Sequence, residues 1–305
     1  LSSPPTEPMR RFSERFDLGF TAVERACNAF TGAPDAGFAA RIPQLLDGMH
    51  QLALANEIFY QLREPLPPLH GFWDLPGEDV ADARAFPGSD KQPPTGVVHV
   101  SKGGDHGGFS VYVPETYTID KPWPVIVALH GGSGNGRDFL WTWLREARSR
   151  GYILLAPKSL AATWSEQDDR GLLQILTWLG RNYRIDEHRL LLTGLSDGGT
   201  FALLYGLAHP TVYRAIAPLC GVLHPANQLV GNLDRARGVP IYLVHGALDF
   251  LFPVVMARAA RDTLEGAGAA LTWREIADLS HTYPRSENVA ILDWFESLPP
   301  PETSP

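Results

Sequence analysis

The 305-residue chain holds only two cysteines, Cys27 and Cys220. That excludes a disulfide-stapled framework and any zinc site built from several thiolates, and leaves two unpaired, buried thiols as the expectation. Basic residues are outnumbered, with 26 Lys and Arg against 34 Asp and Glu and a formal net charge of −8. This argues against a nucleic-acid binder held by phosphate contacts, and against attraction to an anionic membrane surface. No run approaches the ~20 apolar residues that cross a bilayer as a helix. The chain begins Leu1-Ser2-Ser3-Pro4-Pro5, with neither methionine nor a signal peptide. It is read as a trimmed start from which the compartment is not legible; a soluble, cytoplasmic protein is the favoured expectation. What the chain has in excess is glycine (29) and proline (26), together above the ~12% of an average protein, so a loop-rich molecule is expected.

Four stretches of different character follow one another. Residues 1–63 read as an N-terminal helical extension behind a polar, proline-rich tail. Phe12, Phe16, Phe20, Val23 and Cys27 recur at three- and four-residue spacing and so share one helix face. A turn at Gly32-Ala33-Pro34 precedes a second helical pattern through Ile42, Leu45, Leu46, Met49 and Leu52. Residues 64–95 are dense in proline and read as an extended connector. From 96 to 298 short apolar runs alternate with helical patterns, and 299–305 reads as a disordered tail. The alternating stretch opens with an antiparallel pair, 97–100 and 109–113, around a turn at 103–108. Strands at 125–129, 152–156, 190–193, 215–219, 241–244 and 271–276 follow, with helices at 139–150, 168–183, 198–209, 254–265 and 286–298. The implied class is α/β: a mostly parallel sheet with an antiparallel start and helices on both faces.

The sharpest local signal is Gly194-Leu195-Ser196-Asp197-Gly198-Gly199. A Gly-x-Ser-x-Gly pattern arises by chance about one time in ten in a chain this long. Here an apolar strand, Leu190-Leu191-Leu192-Thr193, runs into it and a helical pattern runs out. That is the setting of a nucleophile elbow, whose small residues permit a strained turn that lifts the serine above the sheet edge. The competing reading is a glycine-rich connection that turns or binds phosphate. On such an elbow the partners follow in the order Ser, acid, His. His281 lies in a polar loop between the last strand and the last helix, at the carboxyl edge where a base is needed. His209 and His245 end regular elements, and His224 precedes the expected acid. Asp249 follows the strand 241–244 through a short loop and is preferred to Asp278 as the acid. His130-Gly131-Gly132-Ser133-Gly134 directly follows the buried strand 125–129, and its glycines free N–H groups for an oxyanion. The expected donors are the N–H groups of Asp197 and Gly132, with Gly131 or Ser133 as neighbouring alternatives. His130 is read as a structural loop residue. Trp164 and Phe250 are candidate substrate-pocket walls. A metal site at His99, Asp105 and His106 is weighed against a plain hairpin turn, which is preferred.

These segments resemble the α/β-hydrolase superfamily, and more closely bacterial esterases of the phospholipase/carboxylesterase and polyhydroxybutyrate-depolymerase-like groups. The matching runs are Pro124 to Gly132, Arg184 to Gly199, Val244 to Asp249, and His281, in order and spacing across about 96–298; residues 1–92 are not covered. The resemblance implies an α/β-hydrolase fold and a serine carboxylic-ester hydrolase with Ser196, His281 and Asp249 as its triad and no cofactor or metal. It further implies a small-molecule ester as partner, of small acyl, aryl or hydroxyalkanoate type. Self-association is left open. A serine peptidase on the same scaffold and a non-catalytic binding module are the alternatives. Asp197 departs from the group, where a neutral residue is frequent: a carboxylate beside an oxyanion raises the barrier unless it points away or is held by the helix N-terminus. On that reading Asp197→Asn leaves activity equal or higher.

Overall fold

The structure, a computed structural model, describes residues 6–32, 38–77, 93–100 and 107–300. The predicted turn residues Ala33 and Pro34, most of the connector, the hairpin tip with Asp105 and His106, and the last five residues lie outside these. The chain divides into two compact units, one from the first 80 residues and one from the remainder.

The first unit is a pair of helices, Glu7–Thr31 and Phe38–Gln61. The buried line on the first is not the predicted phenylalanine face. It is Gly19, Ala22, Ala26 and Ala29, because two helices that approach closely need small residues where they touch. A Cβ on Gly19 would meet the Phe59 ring at 2.7 Å, and one on Gly48 would meet Ala29 at 2.9 Å. The phenylalanines flank this seam instead: Phe16 and Phe20 pack edge-on against Phe59, with ring centroids 5.9 and 5.6 Å away. Cys27 is exposed and Cys220 buried, both as free thiols, which corrects the expectation of two buried ones. The described start of the connector is not extended either. Pro67 and Pro68 open a short helix, Pro67–His70, where proline's missing N–H costs nothing. A 3₁₀ turn follows at Gly71–Trp73 and buries Trp73 edge-on against Tyr60.

The second unit is built on one eight-stranded sheet. Its strands are β1 (Gly96–Val100), β2 (Phe109–Val113), β3 (Trp123–Leu129), β4 (Ile153–Pro157), β5 (Ile185–Leu195), β6 (Ala215–Leu219), β7 (Pro240–Gly246) and β8 (Ala270–Ile276). They lie side by side in the order β1-β2-β4-β3-β5-β6-β7-β8. β2 is antiparallel to both neighbours, and every pairing from β4 to β8 is parallel. Every residue of β3, β4, β6 and β7 is buried, as continuous apolar runs covered on both faces must be. The predicted helix over 139–150 is broken into Gly136–Phe139, a 3₁₀ turn and Leu144–Arg150. The next helix, Glu166–Asn182, is capped by Ser165 rather than by Asp168 or Asp169. Asp168 instead closes a capping box onto the Ser165 N–H, satisfying amides that the first turn leaves open.

Candidate active site

β5 ends at Leu195 and the helix Asp197–Ala208 begins two residues later, with Ser196 between them at φ 56° and ψ −116°. Left-handed φ is costly for a residue with a Cβ, and the surroundings hold it there. The Ser196 N–H donates to Leu219 O at 2.8 Å, and its carbonyl accepts from Thr200 N at 2.9 Å. Glycine on either side is a steric requirement. A Cβ on Gly194 would meet Gly198 at 2.5 Å, and one on Gly198 would collide with the carbonyls of Leu129 and His130. The turn therefore rests directly on the neighbouring strand end and aims the serine side chain away from the sheet.

His281 Nε2 lies 2.8 Å from Ser196 Oγ, and its Nδ1 lies 2.8 Å from Asp249 Oδ2. The Asp249 side chain is fully buried, and its other oxygen accepts the N–H groups of Leu251 and Phe252 at 3.0 and 2.8 Å. Those two N–H groups and the imidazole together fix the orientation of the carboxylate. The loop carrying His281 is tied down behind the ring. Tyr283 donates to Asn288 Oδ1 at 2.7 Å, and Asn288 donates to Thr142 O and to the buried Glu146 at 2.8 and 3.2 Å. Burial pushes the Glu146 carboxyl above its usual range. Phe252 and Phe250 stand edge-on to the His281 ring at 5.3 and 6.5 Å, and Phe250 is half-exposed.

In the loop after β3, the N–H of Ser133 donates to Ala162 O at 2.6 Å and that of Gly134 to Gly131 O at 3.0 Å. The N–H groups of Gly131 and Gly132 have no acceptor among the described residues. The Asp197 N–H opens a helix and so has no intrahelical acceptor. A Cβ on Gly132 would stand 3.9 Å from that of Asp197, so the two residues adjoin one another. His130 is buried beneath this loop. Its Nε2 accepts from Ser159 N at 3.1 Å, which makes Nδ1 the protonated nitrogen, donating to Gly131 O at 2.7 Å. Burial pushes the His130 pKa below 6.5, keeping that neutral tautomer.

Trp164 is placed as packing rather than as an open wall. It is 7% exposed, its face stacks on Phe201, and its indole N–H donates to His130 O at 2.8 Å. Asp197 turns its carboxylate onto the Trp164 N–H at 2.9 Å, and burial raises its pKa. His245, set aside in the sequence as a strand end, is wholly buried with Nε2 2.8 Å from Phe252 O and 3.3 Å from Asp249 Oδ2. Nothing in its spacing announces this, since the loop between the two residues sets the contact. His99, the described member of the weighed metal trio, has Nδ1 2.8 Å from Ser110 Oγ. A cavity of about 1010 Å³ opens at the other edge of the sheet, where β5 and β7 begin, and is lined by residues such as Arg189, Arg214 and Pro240 but by none of Ser196, Asp249 and His281.

The sheet covered on both faces, with the serine held at the carboxyl end of a central strand, has the α/β-hydrolase fold. A family model described as Phospholipase/Carboxylesterase matches residues 170–297. The chain is 27% identical over 185 residues to a bifunctional acetylxylan esterase/xylanase of Neocallimastix patriciarum, covering 58% of this chain and 26% of that one. It is also 27% identical over 118 residues to acyl-protein thioesterase 1 of Mycosarcoma maydis, covering 38% and 48%. It thus spans between about a quarter and half of the length of these curated relatives. Among solved structures, an acetyl xylan esterase from Aspergillus awamori superposes with TM-score 0.55 at 16% identity, covering 66% of this chain and 98% of that one. The S-formylglutathione hydrolase of Staphylococcus aureus does so with TM-score 0.57 at 15% identity, covering 68% and 99%. Among the described residues no helix is long and apolar enough to cross a membrane.

Proposed function

We propose that the protein is a serine carboxylic-ester hydrolase acting on small acyl, aryl or hydroxyalkanoate esters. The observation that carries this is the continuous chain of contacts from Ser196 Oγ through the His281 ring to Asp249, 2.8 Å at each step. His281 takes the serine proton as Oγ attacks the ester carbonyl. Asp249 holds the ring in the tautomer that leaves Nε2 free to accept, and stabilises the imidazolium that forms. The carbonyl oxygen becomes an oxyanion against the N–H groups of Asp197 and Gly132, fixed dipoles that need no reorganisation as charge develops. His281 then protonates the leaving alcohol, and water, activated by the same ring, hydrolyses the acyl-enzyme. The esterases among its relatives and the apolar Phe250 and Phe252 beside the base support ester substrates with an apolar or aryl portion.

The test is turnover of p-nitrophenyl acetate by the wild type and Ser196→Ala, with fluorophosphonate labelling of both. Loss of at least 10³-fold in kcat, the scale expected when a triad nucleophile is removed, together with an adduct on Ser196 supports the reading. Equal rates in the two proteins sink it, and absence of an adduct favours a non-catalytic binding module.

A further inference from the structure

The two proposed oxyanion donors sit on different segments. Gly132 and Asp197 each lie three residues beyond the last residue of the β3–β5 ladder, Leu129 paired with Gly194. Past that pair no strand hydrogen bond joins the two segments, yet the N–H groups must be held at a spacing that fits one oxygen. A third segment, Ser159–Trp164, supplies the connection. On the oxyanion-loop side it makes three bonds: Ser159 N to His130 Nε2 at 3.1 Å, Ser133 N to Ala162 O at 2.6 Å, and Trp164 Nε1 to His130 O at 2.8 Å. Its far end is fixed to the next helix, because Leu160 N and Ser165 N both donate to Asp168 at 2.8 Å. Towards the elbow, the Trp164 ring stacks on Phe201 at 15°, and the Trp164 N–H donates to Asp197 Oδ2 at 2.9 Å. Stacked rings slide at little cost. A charge-assisted hydrogen bond has a defined length and direction.

We propose that the Asp197 side chain is a positioning residue for the oxyanion hole: by accepting the Trp164 N–H it straps the first turn of the elbow helix to the segment Ser159–Trp164, which is itself bonded to His130 and Ser133, and so sets the gap between the Asp197 and Gly132 amides. This rests on the ester-hydrolase reading and deepens it. The sequence expectation was that a carboxylate here opposes the oxyanion unless it points away or is held, and in the structure it has a holding partner in the Trp164 N–H. The carboxylate is turned onto a donor, and the Trp164 bond offsets part of its desolvation. The carbonyl oxygen of an asparagine amide can accept the same bond, whereas alanine leaves the Trp164 N–H without its partner.

The experiment compares wild type, Asp197→Ala, Asp197→Asn and Trp164→Phe, measuring kcat and KM on p-nitrophenyl acetate and amide hydrogen exchange at residues 131–134 and 162–165. In Asp197→Ala, kcat falls about 10- to 100-fold, below the 10²–10³-fold loss of a whole oxyanion donor. KM stays within about two-fold, and the Ser133 and Trp164 amides exchange faster. Asp197→Asn recovers at least ten-fold of the kcat lost in the alanine variant. Trp164→Phe, which removes one of the two bonds to His130 and keeps the Asp197 bond, lowers kcat and speeds exchange at Ser133. The proposal is overturned if Asp197→Ala matches or exceeds wild-type kcat, if Asn falls as far as Ala, or if exchange at Ser133 is unchanged in both Asp197→Ala and Trp164→Phe. Should wild type show no Ser196-dependent turnover, the ester-hydrolase reading fails, and the exchange comparison still decides the strap.

Discussion

His245 Nε2 lies 3.3 Å from Asp249 Oδ2, the same oxygen that holds His281. It also lies 2.8 Å from Phe252 O, while the Phe252 N–H donates to the other oxygen of Asp249. His245 thus closes the turn that wraps the carboxylate, from inside the sheet. His245→Leu is expected to lower stability by about 1–2 kcal/mol through the lost bond to Phe252 O, and to lower kcat as the acid loses its fixed orientation. His245→Gln, whose amide N–H can reach the same carbonyl, should recover part of both. Urea denaturation beside kcat on p-nitrophenyl acetate reads this out, and an unaffected leucine variant would show that the turn holds without the imidazole.

Two glycine-to-alanine exchanges separate steric necessity from simple helix chemistry. A methyl on Gly198 runs into the Leu129 and His130 carbonyls, while one on Gly171, inside the helix Glu166–Asn182, meets nothing within 4 Å. Gly198→Ala should destabilise by about 1–3 kcal/mol and suppress fluorophosphonate labelling, because the elbow must move. Gly171→Ala should be neutral or stabilising by about 0.5–1 kcal/mol, since alanine loses less backbone freedom on folding. Thermal melts of both variants give the comparison, and a fully active, equally stable Gly198→Ala would refute the steric argument.

His130 gives stability a pH dependence with a defined sign. Its folded pKa is depressed below 6.5, chiefly by burial, so between that depressed value and 6.5 the unfolded chain binds more protons than the folded one. Stability from this group is complete above about pH 6.5 and is lost as pH falls through the window below it. The raised carboxyls of Glu146 and Asp197 act oppositely above their ordinary carboxylate range, where the folded chain binds more protons than the unfolded one. His130→Gln removes this titration. Its urea midpoint should fall less than that of wild type between pH 7.5 and 5.5; parallel slopes would rule His130 out as the source.

Much of the sheet could be read from the chain, and so could three residues that the fold brings together, Ser196, His281 and Asp249. Short continuous apolar runs such as Val125–Leu129, rich in β-branched residues and bounded by proline and glycine, read as strands covered on both faces, and Gly-x-Ser-x-Gly between the strand pattern Leu190–Thr193 and a helical pattern reads as a tight turn. Other features could not be read. The phenylalanine spacing in the first helix was genuine, yet alanines took the seam, because only the second helix decides how closely the pair packs. Trp164 carried no mark distinguishing a pocket wall from a packed ring. Its partners, His130 and Phe201, come from other segments of the fold.

The sequence by itself determined the alternation of strands and helices, the strained turn at Ser196, and the order in which Asp249 and His281 follow it, because glycine placement and apolar periodicity act over neighbouring residues. Only the tertiary structure decided the strand order that sets β3 beside β5, the approach of His245 to Asp249, and the turning of the Asp197 carboxylate onto Trp164. Those depend on distances between segments 33 to 65 residues apart or on a loop closing over itself, and local spacing carries no information about where such segments meet.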